Sequence, residues 1–172
     1  MFACEQAHIV PDFLLLSKGI TGGYLPLSIV MTTDVVYEAF YSDEMARGFL
    51  HSHSYTGNPL ACRAALATLD IFVADDVLNN NRATADYFNR IASPLREHPG
   101  VGNFRNCGMI WAFEFVSPHA DFAQRCFSLA LEHELLLRPM GNTVYFMPPY
   151  VISKDEIDFL VGQTLQIIDS LS

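Results

Sequence analysis

The chain has 172 residues, 51% of them hydrophobic and 17% charged, with no stretch of low complexity, which is the composition of a packed globular protein. Ten Lys+Arg against nineteen Asp+Glu give a formal net charge of -9 and no basic stripe to neutralise a phosphate backbone, so nucleic acid is not expected as a partner. The longest apolar runs, Phe13 to Leu16 and Leu25 to Met31, fall far short of the roughly 20 residues that cross a bilayer, and no basic region precedes a long apolar one at the N-terminus; no membrane partner and a cytoplasmic location are expected.

In chain order, Phe13 to Ser17 reads as a buried strand that stops at a turn built from Lys18-Gly19 and Gly22-Gly23. Leu27 to Thr32 is a second strand. Thr33 or Asp34 then offers a side-chain oxygen to cap a short helix to about Tyr41. A loop over 41–57 leads to Asn58-Pro59, an N-cap followed by proline at the first helical position, where its missing N–H costs nothing, and the helix runs to about Val73. Asp75 and Asp76 end it. A polar helix is expected from Val77 to about Arg96, with Leu78, Ala85, Phe88, Ile91 and Leu95 on one side, as a connector between lobes.

From Val101 the pattern becomes strand-like, over Val101 to Asn106 and Met109 to Val116. A helix follows with Phe122, Cys126, Leu129 and Ala130 on one face. Leu136-Leu137 and Thr143 to Met147 read as short strands around Pro139 and Gly141. Ser153-Lys154-Asp155-Glu156 is a capping box that opens the last helix. Residues 76 to 172 are thus expected to form an α+β lobe. Four cysteines (Cys4, Cys62, Cys107, Cys126) lack CxxC spacing and suggest reduced, mostly buried thiols. His51 and His53 stand two apart with no third ligand cluster near them, so no metal site is expected.

Read without context, Lys18 could be a solvated surface charge, and its glycines could cradle a phosphate, although P-loop spacing is absent. Nucleophilic amine chemistry asks for a lysine on a rigid strand end, partly desolvated, with glycines that let a flat cofactor approach the backbone. The long motif decides between these. Pro11-Asp12-Phe13-Leu14-Leu15-Leu16-Ser17-Lys18-Gly19-Ile20-Thr21-Gly22-Gly23-Tyr24-Leu25-Pro26-Leu27 resembles the lysine segment of class III pyridoxal-phosphate aminotransferases. His51-Ser52-His53-Ser54-Tyr55-Thr56-Gly57-Asn58-Pro59-Leu60-Ala61-Cys62 resembles that family's second signature, in the expected order.

The resemblance implies an α/β chain of fold type I: residues 1–75 as the C-terminal part of the large cofactor-binding domain, and residues 76–172 as the small C-terminal domain. It implies pyridoxal 5'-phosphate as cofactor, Lys18 as the catalytic lysine in Schiff-base linkage with it, and a homodimer with shared sites. The Ser54 hydroxyl, where the family commonly has Thr, would hydrogen-bond the cofactor phosphate of the neighbouring subunit, with His53 beside it. Ser52 would line the substrate side. Ser52 and His53 stand where the family often has Gly and Pro or Ser, and the polar run 52–56 read alone is simply a loop capping the next helix.

Arg138-Pro139-Met140-Gly141-Asn142-Thr143-Val144-Tyr145-Phe146-Met147-Pro148-Pro149-Tyr150 resembles the biotin-biosynthetic branch of the family, in which the matching arginine binds a substrate carboxylate. A planar guanidinium fork suits that task. Without the resemblance, Arg138 could pair structurally with an acid, and Tyr145 could either line the same pocket or pack on the core. The partners implied are a keto acid and an amino donor, S-adenosylmethionine or lysine; an omega-amino-acid:pyruvate member of the family is the alternative. The family's aspartate for the pyridine nitrogen, its Gly-Ser phosphate loop and its stacking aromatic are expected upstream of Met1. A truncated chain without activity, prone to self-association, is therefore a further alternative.

Overall fold

A computed structural model of the chain describes residues 1–116 and 118–171. Two compact units emerge, Met1–Val77 and Leu78–Ser172.

The first unit opens with a short helix, α1 (Ala3–Gln6). Strand β1 (Phe13–Leu16) then pairs antiparallel with β2 (Ile29–Thr32), Phe13 opposite Thr32 and Leu16 opposite Ile29. The expected burial of β1 is not met: Leu14 and Leu16 are half-buried on one side, whereas Phe13 and Leu15 on the other are exposed, Leu15 at 72%. Two strands present only two faces and no cover for one of them. Helix α2 (Asp34–Phe40) has Thr33 as its N-cap, but no side-chain oxygen caps it; the amides of Val36 and Tyr37 reach the Thr33 carbonyl instead, both at 3.1 Å. The loop that follows contains a 3-10 turn at Met45–Arg47. Helix α3 (Pro59–Ala74) begins as its sequence demands, with Asn58 Oδ1 accepting from the amides of Leu60 (3.0 Å) and Ala61 (3.5 Å).

The second unit contains the hydrophobic core. The single helix expected to Arg96 is two: α4 (Val77–Ile91) and α5 (Ser93–Glu97). Pro94 accounts for the break, because its ring would clash with the carbonyl four residues back and it has no amide to donate. Nor is α4 a bare connector, since Ala85 and Phe88 are buried in the core. Strands β3 (Val101–Cys107), β4 (Ile110–Phe115) and β5 (Thr143–Phe146) form an antiparallel sheet in that order. Trp111, Phe113 and Phe115 alternate inward from β4, and Val144 and Phe146 from β5, the period-two pattern of a sheet with one covered face. Helices α6 (Phe122–Glu132) and α7 (Lys154–Leu171) pack together, bringing Phe122, Cys126, Ile157 and Val161 into the same core. Leu136-Leu137 is not a strand: the segment is irregular, with Leu137 buried and Leu136 exposed.

At the centre Trp111 stacks on Phe88, ring centroids 3.9 Å apart and 16° from parallel, and Phe146 tilts against Phe88 at 5.6 Å. The indole N–H is satisfied by Asn89 Oδ1 at 2.9 Å, as a buried donor requires. A bulge shifts the β3–β4 register between Gly102 and Arg105, and Asn103 there has a positive φ of 50°. Asn103 Nδ2 donates to Glu114 Oε1 at 2.9 Å, and Arg105 Nη1 donates both to the Asn103 carbonyl (2.9 Å) and to Glu114 (3.3 Å). The capping box of α7 is complete: the Ser153 amide donates to Glu156 Oε2 (2.7 Å) and the Glu156 amide to Ser153 Oγ (3.2 Å), and the bonds that Glu156 Oε2 accepts from the Ser153 amide and from the Ser153 hydroxyl (2.8 Å) hold its carboxyl below the ordinary range.

The cysteines are not mostly buried. Cys126 is, but Cys62 and Cys107 are exposed and Cys4 is half-buried; all four are free thiols. Cys62 lies on α3 next to buried Ala61 and so on a different face, and Cys107 sits at the β3–β4 turn. Burial pushes the Cys126 thiol up to about 11.

Replacing Phe88 with Ala is expected to destabilise the second unit by about 3–5 kcal/mol, from the lost transfer energy and the cavity beside Trp111. Trp111 is the chain's one tryptophan, so its fluorescence during urea unfolding reads this directly. The raised Cys126 thiol makes a contribution to stability that is complete below its ordinary value of 9.0 and is lost as pH rises toward about 11. The unfolding midpoint should therefore fall across that window, and fall less steeply in Cys126→Ala.

Candidate functional site

The lysine end of the site is built on a strand stop. Lys18 directly follows the β1–Ser17 segment and begins a 3-10 turn, Lys18–Thr21, with its own φ at +54°. A left-handed conformation at a residue with a long side chain costs on the order of 1–2 kcal/mol, and such outliers cluster where function requires them. The turn ends on Gly22 and Gly23, at φ +63° and +83°, values that a residue with a Cβ adopts only with strain. The Lys18 ammonium has no hydrogen bond or ion pair among the described residues. It is also exposed, so the partial desolvation expected of it is not supplied by this chain's own residues. A Cβ built at Gly19 or Gly23 would meet nothing within 4 Å, which leaves open space along the backbone on both sides of the turn.

The turn rests on α3. The buried residues of this unit are Thr21 (1% exposed), Ala61 and Ala65, and a Cβ at Gly22 would lie 3.4 Å from Thr68 Oγ1. Thr21 is the residue the sequence reading did not single out. Its hydroxyl donates to the Leu25 carbonyl at 2.5 Å and accepts from the Leu25 amide at 3.4 Å, closing the Gly22-Gly23-Tyr24 turn from inside. The signal was present as a β-branched hydroxyl three residues after the lysine and immediately before two glycines.

The second predicted group, Ser52, His53 and Ser54, lies in the exposed loop that enters α3. The loop is folded on itself. His53 accepts at Nδ1 from the Tyr55 amide (3.1 Å), which puts the proton of a neutral ring on Nε2, and its own amide donates to Thr56 Oγ1 at 3.2 Å. Gly57, at φ +70°, turns the chain into the Asn58 cap. Each of these contacts orders the backbone and leaves the Ser52 and Ser54 hydroxyls without a partner among the described residues.

Arg138 and Tyr145 belong to the second unit. Arg138 is exposed between buried Leu137 and half-buried Pro139, and it has no ion pair among the described residues, so no acid there holds it as a structural cation. Tyr145 lies opposite Ala112 in β5. Its neighbours Val144 and Phe146 point into the core, so the alternation of the strand puts the half-buried Tyr145 on the other face of the sheet.

Residues 1–168 match the family described as Aminotransferase class-III. The chain is 47% identical, over 99% of its length, to adenosylmethionine-8-amino-7-oxononanoate aminotransferase of Helicobacter pylori, and 42% identical, over 94%, to the protein of that name from Geobacter sulfurreducens. It covers 41% and 38% of those two proteins, so it spans about two fifths of the length of the curated relatives it matches, in their C-terminal part. Among solved structures, adenosylmethionine-8-amino-7-oxononanoate aminotransferase of Methanocaldococcus jannaschii superposes with a TM-score of 0.89 at 35% identity, covering 100% of this chain and 42% of that one. An (S)-enantioselective omega-transaminase of Thermomicrobium roseum superposes at 0.84 and 28% identity, over 99% of this chain and 40% of that one. The mixed helix and sheet architecture is that of the C-terminal portion of a fold-type I aminotransferase, and the chain belongs to the class III aminotransferase family.

Proposed function

We propose that this chain is the lysine-bearing C-terminal part of an enzyme that transaminates 8-amino-7-oxononanoate to 7,8-diaminononanoate, a step of biotin biosynthesis, with S-adenosylmethionine or lysine as amino donor. The observation that carries this reading is an unpartnered lysine amine at the end of β1, in a family-specific turn, within a chain 47% identical to a relative of that name. In the same reading residues 1–75 complete the large domain, residues 76–172 form the small one, and the enzyme is a cytoplasmic homodimer.

Pyridoxal 5'-phosphate fits the residues present. A primary amine without a hydrogen bond or ion pair among the described residues belongs to the same turn as Gly19 and Gly23, whose open backbone lets a flat ring lie close to the chain. Lys18 would hold it, and the free Ser54 hydroxyl, with His53, would donate to its phosphate across the dimer. When bound, the cofactor supplies the electron sink that makes the carbon of an amine acidic. Lys18 Nζ takes the proton from the carbon bearing the donor's amino group, and in the second half-reaction returns one to the carbon that carried the acceptor's carbonyl. Arg138 receives the keto acid's carboxylate through its two parallel N–H groups, and Tyr145, with Ser52, lines the substrate side.

The similarity to an omega-transaminase supports a second reading, in which pyruvate is the acceptor. Assaying the full-length protein with each acceptor separates the two: turnover of 8-amino-7-oxononanoate is expected, and turnover of pyruvate alone would replace the first reading by the second. Lys18→Ala is expected to lower kcat by at least ~10³-fold, the scale of losing a group that acts directly on the reacting atoms. Arg138→Ala is expected to raise KM for the keto acid by about 10–100-fold, corresponding to hydrogen bonds to a charged group, with a smaller change in kcat.

A further inference from the structure

Catalysis by an amine requires its position to be held closely, and no hydrogen bond or ion pair among the described residues holds the Lys18 ammonium. Its backbone is the remaining control. That backbone runs from a two-stranded hairpin with one exposed face into a turn with open space beside Gly19 and Gly23. Within the unit the turn packs on α3, and the buried residues are Thr21 in the turn and Ala61 and Ala65 on the helix. We propose that Thr21 is the positioning residue for Lys18, acting through its hydroxyl: the paired hydrogen bonds to Leu25 lock the turn and so fix the direction in which Lys18 leaves the strand. This rests on Lys18 being the cofactor lysine.

Three features argue for the hydroxyl rather than for bulk alone. A buried hydroxyl must be satisfied, and Thr21 satisfies itself by bonding both the N–H and the C=O of one residue, Leu25, four positions on. That clip encloses Gly22 and Gly23, the two residues whose positive φ values turn the chain back. The amides of Ile20, Gly22 and Tyr24 add bonds to the carbonyls of Ser17 (3.4 Å), Gly19 (2.9 Å) and Thr21 (3.3 Å), so the path from Ser17 through Lys18 to Leu25 is spanned by successive hydrogen bonds that meet at Thr21. A methyl in place of the hydroxyl keeps the packing on α3 and opens the clip.

The test uses the full-length protein with Thr21→Val, Thr21→Ser and, as control, Lys18→Ala. The apo-protein is exposed to pyridoxal phosphate and borohydride, and labelled Lys18 is counted by peptide mass spectrometry over time. Thr21→Val is expected to slow labelling about tenfold and to lower kcat to a similar degree, with KM for both substrates within about twofold, whereas Thr21→Ser stays within about twofold of the parent on every measure. Labelling at the parental rate in Thr21→Val, or equal impairment in Thr21→Ser, overturns the assignment. Should Thr21→Val fail to fold, Thr21→Cys, which keeps the volume and weakens the hydrogen bond, is read against Thr21→Ser by the same criteria. Absence of any labelling at Lys18 in the parent would instead remove the underlying reading of the lysine, and the role of Thr21 with it.

Discussion

The contact between the turn at Lys18–Thr21 and α3 governs the lysine end of the molecule. Small residues make it possible: Ala61 and Ala65 let the turn come close, and Gly22 meets Thr68 without a side chain of its own. The Asn58 cap and Pro59 then fix where α3 begins, and with it the end of the loop that carries Ser52, His53 and Ser54. Two stretches far apart in the chain thereby share one rigid support. This gives the strained backbone at Lys18 something to be held by, since a left-handed lysine persists only where its surroundings over-determine it.

The two units differ in how their stability arises. The second has an aromatic centre, a sheet with one covered face and helices joined through apolar stripes. The first buries three residues fully and exposes large side chains along α3, among them Leu60 at 71% and Val73 at 83%. A helix that is apolar on most of its circumference ordinarily belongs inside a protein. β1 and β2 likewise have outer edges whose backbone groups are ready to pair. A chain that spans about two fifths of its relatives' length carries these surfaces in the part that bears the lysine.

Much of this was legible beforehand because the signals were local. Asn58-Pro59 and Ser153 to Glu156 specify helix starts through a few adjacent atoms, and both occur as read. The strand read over Met109 to Val116 occurs as β4, and in the structure the alternation of buried Val144 and Phe146 puts Tyr145 on the other face of the sheet. Misreadings came where a local preference met a constraint from elsewhere. The apolar stripe of α4 ran on through Leu95, which is indeed buried, but Pro94 divides the helix, so spacing alone misjudged continuity. Thr33 could have capped α2 with its side chain, yet backbone geometry sufficed. Burial of β1 and of the thiols depends on what is packed against them, which no single segment records. Thr21 escaped notice because a buried hydroxyl announces itself only once its partner, four residues on, is seen.

The bulge in β3 bears on how the sequence can drift. Asn103 meets two demands together: a left-handed backbone and an amide donor to Glu114, while its carbonyl receives Arg105. Glycine would meet the first and lose the second, and aspartate would tolerate the backbone but set a negative charge against Glu114. Position 103 is therefore bound to position 114, and across descendants of this chain the two should change together or not at all.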